Sequence, residues 1–113
     1  MTVDDVLTAP LEAGQPVPTA ISGAPYESWQ VIHDDGRVEI GVWEVTPGTF
    51  RGEKNGVYES MHFVAGAGTI TADDGVVTEI GPGVVMFCRD GWAGVWDVRK
   101  TTRKTYTIVR TDI

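Results

Sequence analysis

Long apolar runs and cysteine are scarce in this chain of 113 residues. No apolar run approaches the roughly 20 residues that a transmembrane helix needs, so we expect no membrane span. The acidic start, Met1–Leu7, lacks the basic residues and apolar core of a signal peptide, which favours a cytoplasmic location. Cys88 is the only cysteine, which excludes an intrachain disulfide. Because Cys88 ends an apolar run, it is predicted to be a small buried hydrophobe rather than a nucleophile.

Positive charge is also scarce, with 9 Lys and Arg residues against 16 Asp and Glu residues and a net charge of −7. This balance disfavours binding to phosphate backbones, so no nucleic-acid partner is expected. Four basic residues are concentrated in 99–104. The first interpretation of this cluster is a solvated strand end. The second is an anion-contacting rim of a pocket.

Helical periodicity is missing as well, and the chain is punctuated by glycine-containing turns that favour a single all-β domain. Four prolines lie within residues 1–25, which are predicted to form an extended N-terminal arm with at most one helical turn between Asp4 and Leu11. This arm would cover the surface or reach a neighbouring subunit. The predicted strands of the remaining domain, residues 26–113, are Ser28–His33, Arg37–Val45, Val57–Ala65, Thr69–Ala72, Val76–Ile80, Val84–Cys88, Gly94–Val98 and Thr102–Arg110.

Several of these strands are apolar at consecutive positions, most clearly Val84–Cys88 and 62–65. A strand of an open antiparallel sheet with one solvated face would alternate more cleanly. Burial of both faces is therefore expected, with one face in the interior and the other under a second sheet, the arm or a partner subunit. We accordingly predict a homodimer.

The order and spacing of turns, glycines and aromatic residues between Trp43 and Tyr106 resemble the cupin superfamily. Within it, the chain is most similar to small cupins related to ureidoglycine aminohydrolase and the ethanolamine-utilisation cupin. The resemblance implies a single-domain jelly-roll β-barrel. The stretches that carry it are Gly41–Phe50, Tyr58–Glu59, Phe63–Gly66, Asp73–Gly75, Gly83, Phe87, Gly91, Trp96 and Arg103–Tyr106.

The resemblance also implies positions for a metal site, since cupins use the motifs G-x5-H-x-H-x3/4-E-x6-G and G-x5-P-x-G-x2-H-x3-N. In this chain Glu53 and Asn55 stand at the first two histidine positions, Glu59 at the carboxylate and Gly94 at the third histidine. Three imidazoles and a carboxylate suit Mn, Fe, Ni or Zn, whereas Glu53, Asn55 and Glu59 suit at most a hard cation. No cofactor is therefore expected, and a divalent metal remains the less favoured alternative.

Strand alternation predicts which side chains share the barrel interior. If Glu59 faces inward, so do Met61 and Phe63, while His62 faces outward. On the facing strand, Gly94 would leave space where a histidine would otherwise stand, beside Trp92 and Trp96. Trp96 would then either wall an open pocket or fill the barrel core.

An unpaired carboxylate is costly inside a barrel, so Glu59 is the leading candidate for a functional group. A raised pKa would suit it to general acid/base catalysis. An ion pair with Arg89, Lys104 or Arg51 would instead make it structural. The predicted ligand-binding residues are Trp96, Tyr58, Met61, Phe63, Trp92, Arg89 and Lys104, with a rim hydroxyl also available from Tyr106.

These residues predict a cupin that binds a small molecule in a pocket around Glu59. One hypothesis is acid/base chemistry on a small polar metabolite, for which the resemblance implies an amine, a ureide or a sugar derivative. The other is a non-catalytic ligand-binding or assembly protein without a metal site.

Overall fold

A computed structural model describes residues 1–111, which form one helix of six residues and nine strands. No helix in that range is long enough to span a membrane. The predominance of strands confirms the predicted all-β architecture. The elements in chain order are α1 (Val3–Thr8), β1 (Ala13–Pro16), β2 (Ala20–Gly23), β3 (Tyr26–Asp34), β4 (Val38–Val45), β5 (Gly48–Glu53), β6 (Val57–Ala72), β7 (Val77–Ile80), β8 (Val85–Cys88) and β9 (Ala93–Arg110).

Two long strands, β6 and β9, pair antiparallel along most of their length. The strands β4, β5, β7 and β8 each pair with one of these two. The start of β6 also pairs with β8, and the end of β9 with β4, which in turn pairs with β3. The end of β6 pairs with β7, and the start of β9 with β5. We name these parts half-sheet 1 (β1-β3-β4-β9-β6-β8) and half-sheet 2 (β2-β5-β9-β6-β7). Because both contain β6 and β9, the chain curls into the predicted jelly-roll barrel.

The passage of β6 from one half-sheet to the other depends on glycine. The register with β9 shifts between Phe63 and Gly68, and Gly66 has a φ of 124°. A Cβ atom at Gly66 would collide with the buried Thr102 of β9. The two strands can therefore approach closely at this bend only because residue 66 has no side chain.

The main core lies between the half-sheets and takes residues from both. Met61 and Phe63 contribute from the first part of β6, while Phe50, Ile70 and Trp96 contribute from half-sheet 2. All five are buried. The inward direction predicted for Met61 and Phe63 is thus confirmed.

The N-terminal segment belongs to the sheet of its own chain. Strand β1 pairs with β3 and β2 pairs with β5, so residues predicted to form an extended arm supply two strands. Helix α1 begins at a capping box between Thr2 and Asp5, and Val6 of this helix packs on Val42 and Val64 at the outer face of half-sheet 1.

Three local predictions differ from the structure. The strands predicted at Val57–Ala65 and Thr69–Ala72 form the single strand β6. Those predicted at Gly94–Val98 and Thr102–Arg110 form the single strand β9. The glycine bend shifts the register between β6 and β9 without ending either strand. Strand β5 was missed because Phe50 is its only large apolar residue.

We expect Gly66→Ala to lower the free energy of unfolding by about 2–5 kcal/mol, since it adds both backbone strain and overpacking against Thr102. Urea titration of the purified variant measures this loss. Gly81→Ala is the matched control, because a Cβ at Gly81 meets nothing within 4 Å and the position needs no positive φ. Equal stability of the two variants would contradict the role of Gly66.

Candidate functional site

A cavity of about 530 Å³ opens into the barrel and is lined by strands of both half-sheets. Trp43 and Lys104 line it from half-sheet 1, and Phe50 and Trp96 from half-sheet 2. Val17 to Thr19, between β1 and β2, close another side. The size and the aromatic walls are those of a small-molecule site.

Three charged side chains meet at this cavity. Glu59 is 3% exposed, and its Oε1 lies 2.8 Å from Nζ of Lys54 while its Oε2 lies 2.8 Å from Nζ of Lys104. Both carboxylate oxygens therefore have a cationic partner. We refer to Lys54, Glu59 and Lys104 as the charge cluster.

The backbone fixes each member of the charge cluster from a different element. Glu59 and Lys104 lie on the adjacent strands β6 and β9, and their side chains point to the same inner face. Lys54 follows β5 in a turn, where its backbone N–H donates to the carbonyl of Trp92 and its carbonyl accepts from the N–H of Gly91. The turn is thereby attached to the segment between β8 and β9.

Aromatic rings and a thioether surround the ammonium group of Lys104. Its Nζ lies 4.5 Å from the ring centroid of Trp43 and 5.1 Å from that of Trp96, within the range of cation–π attraction. It also contacts Sδ of Met61 at 3.3 Å. Trp96 in turn stacks on Phe50 with ring centroids 5.5 Å apart. Trp96 thus both fills part of the core and walls the cavity.

The pKa values of Glu59 and Lys104 are both lowered, each for a different main reason. Burial alone would raise the pKa of Glu59, but the ammonium groups of Lys104 and Lys54 together lower it to about 2. The pKa of Lys104 is lowered, first by burial and further by Lys54, and the attraction of Glu59 offsets this only in part. Glu59 is therefore ionised at neutral pH, and Lys104 is the member that releases its proton more readily than an ordinary lysine.

This electrostatic arrangement distinguishes the two alternatives for Glu59. Its pKa is lowered and not raised, because two cations outweigh the cost of burial, so the ion pair is the alternative observed. A carboxylate that is ionised and engaged through both oxygens is poorly suited to donate or accept a proton. Among the predicted cationic partners, Lys104 forms the pair. Arg51 instead pairs with Glu53 and Asp73.

Several predicted ligand-binding residues lie outside the cavity. Tyr58 points to the outer face, where its ring stacks on Phe87 with centroids 5.9 Å apart. Arg89 and Trp92 line a separate, smaller depression. Strand alternation places Tyr58 outward because its neighbour Glu59 faces inward.

The remaining predicted residues lie in or near the cavity. Trp96, Lys104, Glu53 and Tyr106 line it directly. Met61 and Phe63 belong to the core beneath it, and Asn55 is not among the lining residues.

The space predicted at Gly94 is filled. A Cβ at this position would lie 2.8 Å from the ring of Trp92 and 2.6 Å from the carbonyl oxygen of Thr71. Gly94 therefore allows close packing of Trp92 and β6 and does not open the pocket.

The residues around Glu59 do not fit the metal that the cupin motifs imply. Within residues 1–111, no group of three or more His, Cys, Asp or Glu side chains is placed to hold a metal ion. Both oxygens of Glu59 face ammonium groups, which would repel a cation at the same place. Glu53 is exposed and paired with Arg51.

Sequence reasoning missed Lys54, Trp43 and Phe50 as site residues. Lys54 adjoins the predicted Glu53, but a turn has no simple alternation that predicts its side-chain direction. Trp43 is a neighbour of Lys104 in the sheet register. Only the pairing of β4 with β9 shows this proximity.

The basic residues at 99–104 lie in different environments, some in solvent and one in the cavity. Arg99 and Lys100 are exposed, as a solvated strand end predicts. Arg103 donates to the carbonyl oxygens of Val6 and Ala9, which holds the end of α1 against β9. Lys104 alone enters the cavity.

Solved structures share this fold. The EutQ protein of Clostridium difficile superposes with a TM-score of 0.66 at 18% identity, over 79% of this chain and 71% of that one. A protein of unknown function from Pseudomonas syringae pv. tomato gives a TM-score of 0.79 at 23% identity, over 90% of this chain and 45% of that one. Ectoine synthase from P. lautus gives 0.69 at 12% identity, over 97% of this chain and 76% of that one. At these identities the likeness shows the fold alone.

The fold therefore defines a cupin, as the sequence resemblance predicted. More narrowly, residues 32–106 match the family described as EutQ-like cupin domain, and the chain belongs to this family. A comparison with curated protein sequences finds no match. The related structures include EutQ and ectoine synthase, so the fold does not specify one activity.

We expect Glu59→Gln to destabilise the protein by about 3–5 kcal/mol, because it leaves two ammonium groups without their buried counter-charge. Urea unfolding of wild type, Glu59→Gln and the double variant Glu59→Gln/Lys104→Met measures these losses of stability, and the double variant should lose less than the single one. Glu53→Gln serves as the exposed control, with a change of about 0.5 kcal/mol or less. A loss as small as that of the control would contradict the importance of the charge cluster.

Proposed function

We propose that this protein is a small-molecule-binding cupin whose cavity accepts a ligand with an oxyanion at one end and a planar apolar group at the other. The observation that carries the proposal is the excess of cations in the charge cluster. An ammonium group has three N–H donors, and Glu59 accepts one from each lysine. Lys104 directs a further donor to Sδ of Met61, so the remaining donors, mainly those of Lys54, are available to a carboxylate or a similar group.

The aromatic wall supports the other half of the proposed ligand. Trp43, Phe50 and Trp96 form one continuous group, with Trp43 and Trp96 centroids 5.6 Å apart. Planar groups bind well against such rings in offset or edge-to-face geometry. The walls therefore favour a planar apolar substituent next to the anionic group.

Other carboxylates of the cavity lining have donors of their own. Glu39 accepts from the hydroxyl of Tyr106 at 2.7 Å and from Arg110 at 2.9 Å. Glu27 accepts from the indole N–H of Trp43 at 3.0 Å. These bonds direct the two carboxylates into the wall and leave the lysine end of the cavity as the place for an anion.

Binding, rather than acid/base catalysis by Glu59, is the function that the charges support best. Glu59 acts in this proposal as the fixed counter-ion that keeps two lysines in the cavity. The proposed binding needs no metal, since the lysines supply the positive charge.

Benzoate is a suitable first probe, with benzamide as its uncharged counterpart. Isothermal titration calorimetry should show tighter binding of benzoate, and Lys54→Gln should weaken it about tenfold or more, because a charged hydrogen bond contributes about 1.5–3 kcal/mol. Lys100→Gln is the control with an exposed lysine, and it should bind like wild type, with or without EDTA. Equal affinity for benzoate and benzamide would contradict the proposal, as would an unaffected Lys54→Gln variant.

We further propose that a second copy of this chain covers the part of the outer face of half-sheet 1 that β8 and the start of β6 form. Val85 and Phe87 of β8 are 68% and 59% exposed on this face, beside Tyr58, Ser60 and His62 of β6. None of these side chains carries a carboxylate. A chain with a net charge of −7 repels its own copies, so self-association is favoured only through such an uncharged face. Large exposed apolar patches commonly mark protein interfaces.

Sedimentation equilibrium at micromolar concentration should therefore give a mass twice the 12.2 kDa of one chain. Phe87→Lys should give monomers, because it places a charge within the uncharged face. Ile21→Lys, on β2 at a position 61% exposed, should leave the dimer intact. A wild-type monomer, or dissociation by Ile21→Lys alone, would disprove this interface.

A further inference from the structure

We propose that Lys104 condenses with the carbonyl group of an aldehyde or 2-oxo acid held in the cavity, forming an imine. This inference rests on the proposed function, because the cavity must first hold a small molecule. Binding alone requires no reactive group on the ligand, whereas imine formation requires an aldehyde or keto group.

The position of Lys104 carries the inference. Its side chain lines the cavity although the residue is only 5% exposed, so a ligand in the cavity lies next to it. Nζ is held from three sides by Glu59, Met61 and the face of Trp43. An amine held in this way is oriented for attack on a carbonyl carbon of a bound molecule.

The charges around Lys104 allow it to become a neutral amine, which is the form that attacks. Glu59, Lys54 and Cys88 are the titratable groups that act on it. Lys54 is more exposed, at 18% of its side chain, and by itself compensates the charge of Glu59. Loss of a proton from Lys104 therefore leaves an intact ion pair behind. Desolvation beside a second cation is a recognised way to activate a lysine.

The reaction balances without a further reagent. The nitrogen of Lys104 forms a bond to the carbonyl carbon, and the carbonyl oxygen leaves as water with two hydrogens that the ammonium group supplies. An ammonium and a carbonyl thus become a protonated imine and water. The positive charge stays on the nitrogen, so Glu59 keeps a cationic partner before and after the reaction.

Reductive trapping tests the inference. Phenylglyoxylate, a 2-oxo acid, carries its keto carbon next to the carboxylate and a planar phenyl ring beyond it, and cyanoborohydride reduces any imine to a stable amine. Mass spectrometry of peptides then compares Lys104 with Lys54, Lys100 and the N-terminal amine. We expect Lys104 to be modified at least about tenfold faster than Lys100, because the cavity holds the carbonyl compound beside an oriented amine.

Two controls connect this selectivity to the folded site. In concentrated urea the rates at Lys104 and Lys100 should become equal, a comparison that needs no variant. Lys104→Arg should remove the selective adduct, and Lys100→Gln should leave modification of Lys104 unchanged.

Modification of Lys100 or Lys54 as fast as Lys104 in the folded protein would overturn the inference. If benzoate still bound under the same conditions, the proposed function would stand and only the imine would be disproved. If benzoate also failed to bind, both would be disproved.

Discussion

The buried ion pairs between Glu59 and the lysines Lys54 and Lys104 are the constraint on which the site depends. Removing a carboxylate from water is costly unless charge and hydrogen bonds compensate it. Here both oxygens are compensated, each by an ammonium group at 2.8 Å. The arrangement requires β6, β9 and the turn after β5 to meet at one place, so the same contacts that stabilise the barrel also define its cavity.

The charge cluster differs from the metal site of the cupin motifs in the groups that compensate the charge of the carboxylate. The cupin motifs place a carboxylate beside histidines, and a metal ion compensates its charge. In this chain the carboxylate is retained at Glu59, and two ammonium groups provide the compensation. Unlike a metal ion, an amine can lose a proton and become a nucleophile. Without histidines at the motif positions, the positive charge next to Glu59 comes from lysines.

The fold was largely predictable from the sequence, and the candidate site only in part. Alternation along β6 correctly placed Glu59, Met61 and Phe63 inside because each strand residue reverses direction. The direction of the pKa shift at Glu59 was not predictable, since it depends on Lys54, whose turn has no such alternation. Space at Gly94 was inferred from the absence of a side chain, yet the ring of Trp92 fills it.

The sequence by itself determined the all-β architecture, the family resemblance and the common face of Glu59, Met61 and Phe63, because glycine turns and two-residue alternation are local properties. Only the tertiary structure decided the partners of that carboxylate, the cavity that contains it and the joining of the N-terminal strands to the sheet of their own chain. The physical reason is distance along the chain. Glu59 and Lys104 are separated by 45 residues and meet only because β6 and β9 pair.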